Sequence, residues 1–260
     1  LGLYCPEDAN VTNVLEHGVK GDGTTDNTAA LTLLLMNNTS PVTGNKLNST
    51  VYFFPTGTYV VSAPLVTYTR KCITNWHKLL GAGVGLTTLK LKDALPKFGD
   101  RNDLAAVLTM GCSPAQNFDN GVQDMTISTG SRNPGAIALR FNANNDGWMR
   151  NTALVSDDGS GHTGLDLSYS DQIGPLLISH VGIRGFATGI AVAHGVDSVT
   201  LDSITITDAA AAGVVSVSQT VSIANLTVSG ALAAGAVVAP LSTGNLVIRN
   251  ATFVCTDPSC

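Results

Sequence analysis

Apolar and polar positions along this chain fall into two short phrases that keep returning. The first reads apolar, any, polar, any, any, apolar, and six copies run from Val122 to Phe253. They are Val122-Gln123-Asp124…Ile127, Met149-Arg150-Asn151…Leu154, Ile178-Ser179-His180…Ile183, Leu201-Asp202-Ser203…Ile206, Ile223-Ala224-Asn225…Val228 and Ile248-Arg249-Asn250…Phe253. Between them comes a small residue followed by apolar, any, apolar. Its copies are Ala136-Ile137-Ala138-Leu139, Gly164-Leu165-Asp166-Leu167, Gly189-Ile190-Ala191-Val192, Gly213-Val214-Val215-Ser216 and Gly235-Ala236-Val237-Val238. A loose period in the twenties, made of short alternating segments with no helix-length pattern between them, predicts a coiled β solenoid. One turn cannot bury its apolar face alone, so turns stack and share a core. Residues of successive turns then stand in columns about 4.8 Å apart.

Upstream of the repeat the pattern is less regular. Gly21 to Gly23 predicts a tight turn, and Asp26 is placed to cap a helix running through Ala29, Ala30, Leu33 and Leu34 to about Met36. Val51 to Phe54 and Thr58 to Val61 read as strands around Pro55-Thr56-Gly57, and Leu79-Leu80-Gly81-Ala82-Gly83 with Thr88 to Leu91 gives a further turn of β structure. Three parts are expected: residues 1–50 as an N-terminal extension with a capping helix, 51–254 as coils, and 255–260 as a cysteine-containing tail.

Gly18-Val19-Lys20-Gly21-Asp22-Gly23-Thr24…Asp26…Thr28-Ala29-Ala30 resembles the N-terminal signature of the pectate-lyase-like superfamily, which includes polygalacturonases and rhamnogalacturonases. Val51-Tyr52-Phe53-Phe54-Pro55-Thr56-Gly57-Thr58-Tyr59 and Leu80-Gly81-Ala82-Gly83 match its next landmarks in order. The resemblance implies a right-handed parallel β-helix, all-β apart from an N-terminal capping helix. It implies little about chemistry, because the signature is a structural cap.

With apolar members facing inward, Asp124, Asn151, His180, Ser203, Asn225 and Asn250 form an expected inward polar column, bonded as stacked amides and hydroxyls. The outward column of the long strand reads Gln123, Arg150, Ser179, Asp202, Ala224, Arg249; that of the short strand reads Ala138, Asp166, Ala191, Val215, Val237. Neither puts two carboxylates in neighbouring coils, whereas glycoside cleavage usually needs a pair about 5–9.5 Å apart. With no Lys after Lys97 and few Arg, a lyase site is poorly supported. The remaining acid cluster is Asp146, Asp171 and Asp197, one per coil, with His194 nearby. These are the catalytic candidates if the protein is an enzyme, although Asp in turns more often serves turn geometry. Asp157-Asp158-Gly159 is equally a plain surface turn.

From Ala209 to Val254 the only charged residue is Arg249, and Ala-rich segments replace the polar turns. Exposed apolar turns mark contact surfaces. No amphipathic helix follows Val254 to cover the last coil, which predicts an open strand edge and homotypic end-to-end contact, stacking into filaments where it does not close.

Composition narrows the setting. Charged residues are 13% of the chain and its net charge is −5, without a basic stripe, which argues against nucleic acid. The longest apolar run, Ala231 to Leu241, is broken by Gly and Pro and falls short of a bilayer span, which needs ~20 residues. A chain starting at Leu1 without a leader reads as a mature or trimmed product. The five cysteines show no metal-ligand spacing, so neither metal nor cofactor is expected; Cys255 and Cys260 could close a small loop. Sequons crowd at Asn10, Asn37, Asn38 and Asn48, which favours a secreted glycoprotein carrying N-linked glycans there. Asn225 and Asn250 also head sequons, but an inward position would deny them sugar.

Two functions follow. The first is an extracellular, non-catalytic β-helix acting as a structural, self-associating or carbohydrate-associated scaffold. The second is a polysaccharide-cleaving enzyme, a hydrolase before a lyase, acting on a pectin-like or cell-wall glycan. A pure sugar-binding module lacks an aromatic platform, since Trp76 and Trp148 are the only tryptophans, although Tyr169 could stack on a sugar ring.

Overall fold

The computed structural model describes residues 11–36, 50–68, 76–111, 117–168, 173–193, 198–217, 220–238 and 244–256. The chain opens with β1 (Val11–Asn13), β2 (Asp22–Asp26) and α1 (Thr28–Met36), then β3 (Thr50–Phe54), β4 (Gly57–Val61), β5 (Leu65–Val66), β6 (His77–Gly81), β7 (Thr87–Leu91) and β8 (Ala105–Met110). Long and short strands then alternate: β9 (Gly121–Ser128), β10 (Ala136–Phe141), β11 (Gly147–Val155), β12 (Gly161–Asp166), β13 (Leu176–Arg184) and β14 (Phe186–Val192). They continue as β15 (Ser198–Ala209), β16 (Ala212–Ser216), β17 (Thr220–Gly230), β18 (Gly235–Val238) and β19 (Leu246–Cys255). The long strands belong to a 12-stranded sheet and the short ones to a 7-stranded sheet. Every recorded pairing between strands is parallel. This is the expected parallel β-helix, with about seven turns. In the early coils β6 and β7 together occupy the place of one long strand, since both pair with β9. The sheet also starts earlier than residue 51, because β1 pairs with β3 and β2 with β4.

The core is one continuous column of apolar side chains inside the coils. Val122, Met149, Ile178, Leu201 and Ile223 stack in register and are buried, as are Ile127, Leu154, Ile183, Ile206 and Val228. The expected outward row from Gln123 through Arg150, Ser179, Asp202 and Ala224 to Arg249 is also the observed register.

The inward polar column is a correction. Asp124, Asn151, His180, Ser203, Asn225 and Asn250 all have left-handed backbone, with φ between 43° and 57°. None of them is buried, and Asn151, His180, Asn225 and Asn250 are exposed. Each is a corner where the strand bends. The bend uses one residue and resets the in–out alternation, so the next residue (Met125, Val181, Ile204, Leu226) enters the core instead. Asn and Asp tolerate this conformation because their short side chains bond locally. The stacked bonds do form, but on the outer ridge: Asn225 Nδ2 donates to Asp202 Oδ1 at 2.8 Å, Asn250 Nδ2 to Asn225 Oδ1 at 2.6 Å, and Asn151 Nδ2 to Asp124.

The first end of the core is closed by α1, whose Leu31 and Leu35 are buried. The helix starts one residue later than Asp26 alone would set. Asn27 occupies the cap position, its carbonyl accepting from Leu31 N–H at 2.9 Å, while Asp26 Oδ1 accepts from Thr28 N–H at 3.0 Å. The buried Asn27 side chain accepts from Lys20 N–H at 2.7 Å and donates to the Lys20 carbonyl at 2.9 Å, tying the helix to the preceding turn.

Candidate functional site

A cluster of charge beside hydroxyl and imidazole groups lies on the outer face of the 7-stranded sheet. Arg140 on β10 stands directly beside Asp166 on β12, and Arg140 Nε donates to Asp166 Oδ2 at 3.0 Å. Asp166 Oδ1 accepts from Ser168 N–H at 2.8 Å and from Ser168 Oγ at 2.6 Å. The Asp166 side chain is only 8% exposed. Such a carboxylate, shielded from water and engaged on both oxygens, is built to hold a cation in place.

Three further groups surround the pair. Burial pushes the Tyr68 phenol up, against the opposing effect of the Arg140 charge. Burial and the Arg101 guanidinium lower the His162 imidazole, while Asp166 acts in the opposite direction. His162 Nδ1 lies 2.9 Å from Thr163 Oγ1, and Arg101 donates to the Ser160 carbonyl at 3.0 Å.

Sequence reasoning put Ala138, not Arg140, beside Asp166. The observed partners are Leu139 with Leu165 and Arg140 with Asp166, a shift of two residues. The signal was present: Ala138-Leu139-Arg140-Phe141 also reads small, apolar, any, apolar, and Phe141 is a buried core residue. At the other end Val214 pairs with Val237 and Val215 with Val238, so that copy is displaced by one. The outward row is therefore Thr109, Arg140, Asp166, Ala191, Val215, Val238. It contains a single carboxylate.

Of the catalytic candidates, Asp146 is exposed at a left-handed turn position, with φ 77°. Asp171, His194 and Asp197 lie outside the described residues, as do Tyr169, Cys260 and the sequon residues Asn10, Asn37, Asn38 and Asn48. Asp157 and Asp158 serve the turn and its neighbours. Asp157 accepts from Lys90 Nζ and from Ser128 Oγ, each at 2.7 Å. Asp158 accepts from Arg132 N–H at 2.6 Å and Ser160 N–H at 3.0 Å. Burial pushes Asp158 up, but these bonds outweigh it and leave its carboxyl below the usual range. Among the described residues no group of three or more His, Cys, Asp or Glu converges to hold a metal ion. No helix among them is long and apolar enough to cross a membrane.

A second surface, also missed from sequence, is an open groove of about 720 Å³ on the outer face of the 12-stranded sheet. Its floor is the in-register row Thr58, Thr88, Thr126, and Lys90 and Lys92 stand along it. Lys90 is paired with Asp157, and Lys92 with Asp26 at 3.1 Å, so the groove presents hydroxyls beside balanced charge.

Stacked parallel coils with left-handed corners and a helix over one end define a protein of the pectate-lyase-like β-helix class. The model of the family "Rhamnogalacturonase A/epimerase, pectate lyase-like" matches residues 11–236, and the chain belongs to that family. Two Penicillium expansum proteins, the non-secreted LysM effectors LysM15 and LysM19, are 43% identical over 70 and 75 residues. Each match covers 25% of this chain but only 5% and 6% of the relative, so the chain spans a small fraction of their length. Among solved structures, the bacteriophage phi29 gene product 12 N-terminal fragment is 17% identical, with TM-score 0.64, covering 93% of this chain and 41% of that one. Pectin methylesterase from Aspergillus niger is 14% identical, with TM-score 0.54, covering 98% and 89%. The carrot enzyme is 12% identical, also with TM-score 0.54, covering 96% and 85%. At these identities the structural likeness speaks for the fold alone.

Proposed function

We propose that this β-helix is a non-catalytic extracellular scaffold that pairs with a second copy of itself through the exposed apolar residues of β19. One observation carries the reading. Ile248 and Phe253 continue the two core columns, yet they are 37% and 48% exposed where the preceding members, Ile223 and Val228, are buried. Val247 and Val254 on the same strand are also exposed. Among the described residues β19 ends its sheet and no strand pairs with its outer edge, which leaves backbone donors and acceptors there ready to pair. Because α1 closes the first end, an open end has no open end to stack on head to tail. Two last coils can instead meet about a two-fold axis, an isologous contact that closes as a dimer and not as a filament. A Cys255–Cys260 bridge beside that edge belongs to the same proposal.

The arrangement around Asp166 supports the non-catalytic half of the reading. Its one carboxylate is held by Arg140 and Ser168, and its flanking row positions are Arg140 and Ala191, so no second acid stands next to it on this row. The extracellular setting rests on the sequons. The Penicillium relatives are named as non-secreted, and their matches cover 25% of this chain.

Sedimentation velocity over a concentration series tests the proposal. A dimer that tightens with concentration, and that Phe253→Asp abolishes while the circular dichroism of the coils persists, is the expected result. A monomer at every soluble concentration overturns it.

The second reading, a polysaccharide-cleaving hydrolase, is favoured by membership in a family described as rhamnogalacturonase and epimerase. Its site would be Asp146, Asp171, Asp197 and His194 in the turns. Release of reducing ends from a pectin-like substrate, lost in Asp171→Asn and Asp197→Asn, would put this reading ahead of the scaffold.

A further inference from the structure

We propose that the outer corner ridge is a site of covalent modification, with Asn250 as the acceptor of an N-linked oligosaccharide and Asn225 as its substitute. Both residues head sequons, Asn225-Leu226-Thr227 and Asn250-Ala251-Thr252. The structure removes the objection that an inward column would raise. Asn225 and Asn250 have φ of 53° and 54° and are exposed at the corner. Thr227 and Thr252, which supply the sequon hydroxyls, are paired in register and also exposed. Amide and hydroxyl therefore leave the same side of the strand, open to solvent, in both coils.

The sequons arise where two structural columns coincide. The corner column favours residues that accept left-handed backbone, and Asn is foremost among them. The row two residues on is an outward β position that favours Thr: Thr126, Thr205, Thr227 and Thr252 occupy it in four of the six coils. Only the last two coils combine Asn with Thr. Structural preference accounts for the residues, and the modification follows from their chemistry wherever the chain meets the transferase.

The co-reactant is a lipid-pyrophosphate-linked oligosaccharide of the secretory pathway. The Asn250 side-chain amide nitrogen forms a bond to the anomeric carbon, and the bond from that carbon to the pyrophosphate oxygen breaks. The lipid pyrophosphate leaves and the amide loses one proton. One N–H remains on the nitrogen, so the bond from Asn250 Nδ2 to Asn225 Oδ1 can persist in the product. Among the described residues the Asn225 side chain bonds to both Asp202 and Asn250, whereas that of Asn250 bonds to Asn225. Two oligosaccharides rooted on adjacent coils about 4.8 Å apart would compete for the same space, so one acceptor per folded molecule is expected.

The test is glycopeptide mapping of the full chain secreted from a eukaryotic host. Amidase release of glycan converts each modified Asn to Asp and so marks it, with untreated protein as the control for spontaneous deamidation. Conversion at Asn250 with little at Asn225 is expected, and Asn250→Gln should move most of the sugar to Asn225. Folded, secreted protein with both asparagines unconverted overturns the proposal. So does full conversion of both on the same molecule, which would contradict the crowding argument. The mapping reads covalent mass whatever the association state; because Asn250 lies on β19, the dimer is tested on protein freed of glycan, so the two proposals fail separately.

Discussion

The two ends of the solenoid meet the same physical problem and answer it differently. A stack of coils exposes its core at each end. At the first end α1 covers it, and both ends of the helix are tied down. Asp26 and Asn27 hold its start; at its close the Leu34 carbonyl accepts from Tyr52 Oη at 3.2 Å, and His77 Nε2 lies 2.9 Å from the Leu35 carbonyl. Tyr52 and His77 also meet edge to face at 4.8 Å. Charge follows the same division, since all five described ion pairs fall between Asp26 and Asp166. At the far end of the described coils β19 carries Val247, Ile248, Phe253 and Val254 into solvent. Within the described residues, closure comes from a dedicated element fixed by polar bonds, which the stacking of coils does not itself provide.

The largest expected effect is at the closed end. Leu31 is fully buried beneath the helix. Leu31→Ala removes that packing and leaves a cavity, and should cost about 2–5 kcal/mol in urea unfolding. Hydrogen exchange should quicken first along α1 and the strands it covers. If the loss stayed below about 1 kcal/mol, the helix would not be closing the core.

A smaller effect comes from the polar bonds of the cap. Burial pushes Asp26 up, but hydrogen bonds from Ser62, Thr28 and Lys92 outweigh it and hold the carboxyl well below the usual range. Hydrogen bonds from Thr25 and Thr24 do the same for the exposed Asp22. For acids with depressed folded-state values, the stabilisation is complete above the unfolded range near pH 4 and is lost as pH falls below it. Between Ala209 and Val254 only Arg249 is charged, so the strands there supply no carboxylate of their own. Acid should therefore expose α1 amides to exchange before those of β19, whose corner Asn250 bonds to an amide and not to a carboxylate. Asp26→Ala should cost about 1 kcal/mol at neutral pH and flatten the response below pH ~4.

Much of this asymmetry could be read from the residues. The helix before Asn37, the long-strand register and the uncharged last coils follow from periodicity and from the positions of charge. The sidedness of the corner residues did not follow, because period-two counting from Val122 carries Asp124 inward and only a left-handed bend cancels that step. The apolar residues just after the corner, Met125, Val181, Ile204 and Leu226, held the correction. The pairing of Arg140 with Asp166 was hidden for another reason. Two overlapping frames of one phrase fit residues 136–141, and periodicity alone cannot choose between them. Fixing the frame on Phe141, the bulkiest apolar residue there, selects the observed one.

The smallest effect is expected at Ile248, set against its neighbour in the same column. Ile223 and Ile248 are register partners, the first 1% and the second 37% exposed. Ile223→Ala, deep in the stack, should cost about 2–5 kcal/mol because transfer and cavity terms add. Ile248→Ala opens no enclosed cavity and loses only partial burial, so in dilute monomer about 1 kcal/mol or less is expected. That gap should shrink as protein concentration rises, because a second copy seated on β19 would bury Ile248 and add its contacts to the measured stability. Urea unfolding of both variants over a concentration series reads this directly. If the cost at Ile248 stayed constant while that at Ile223 remained large, the last coil would be uncovered without being an interface, and the two ends would differ in closure but not in partners.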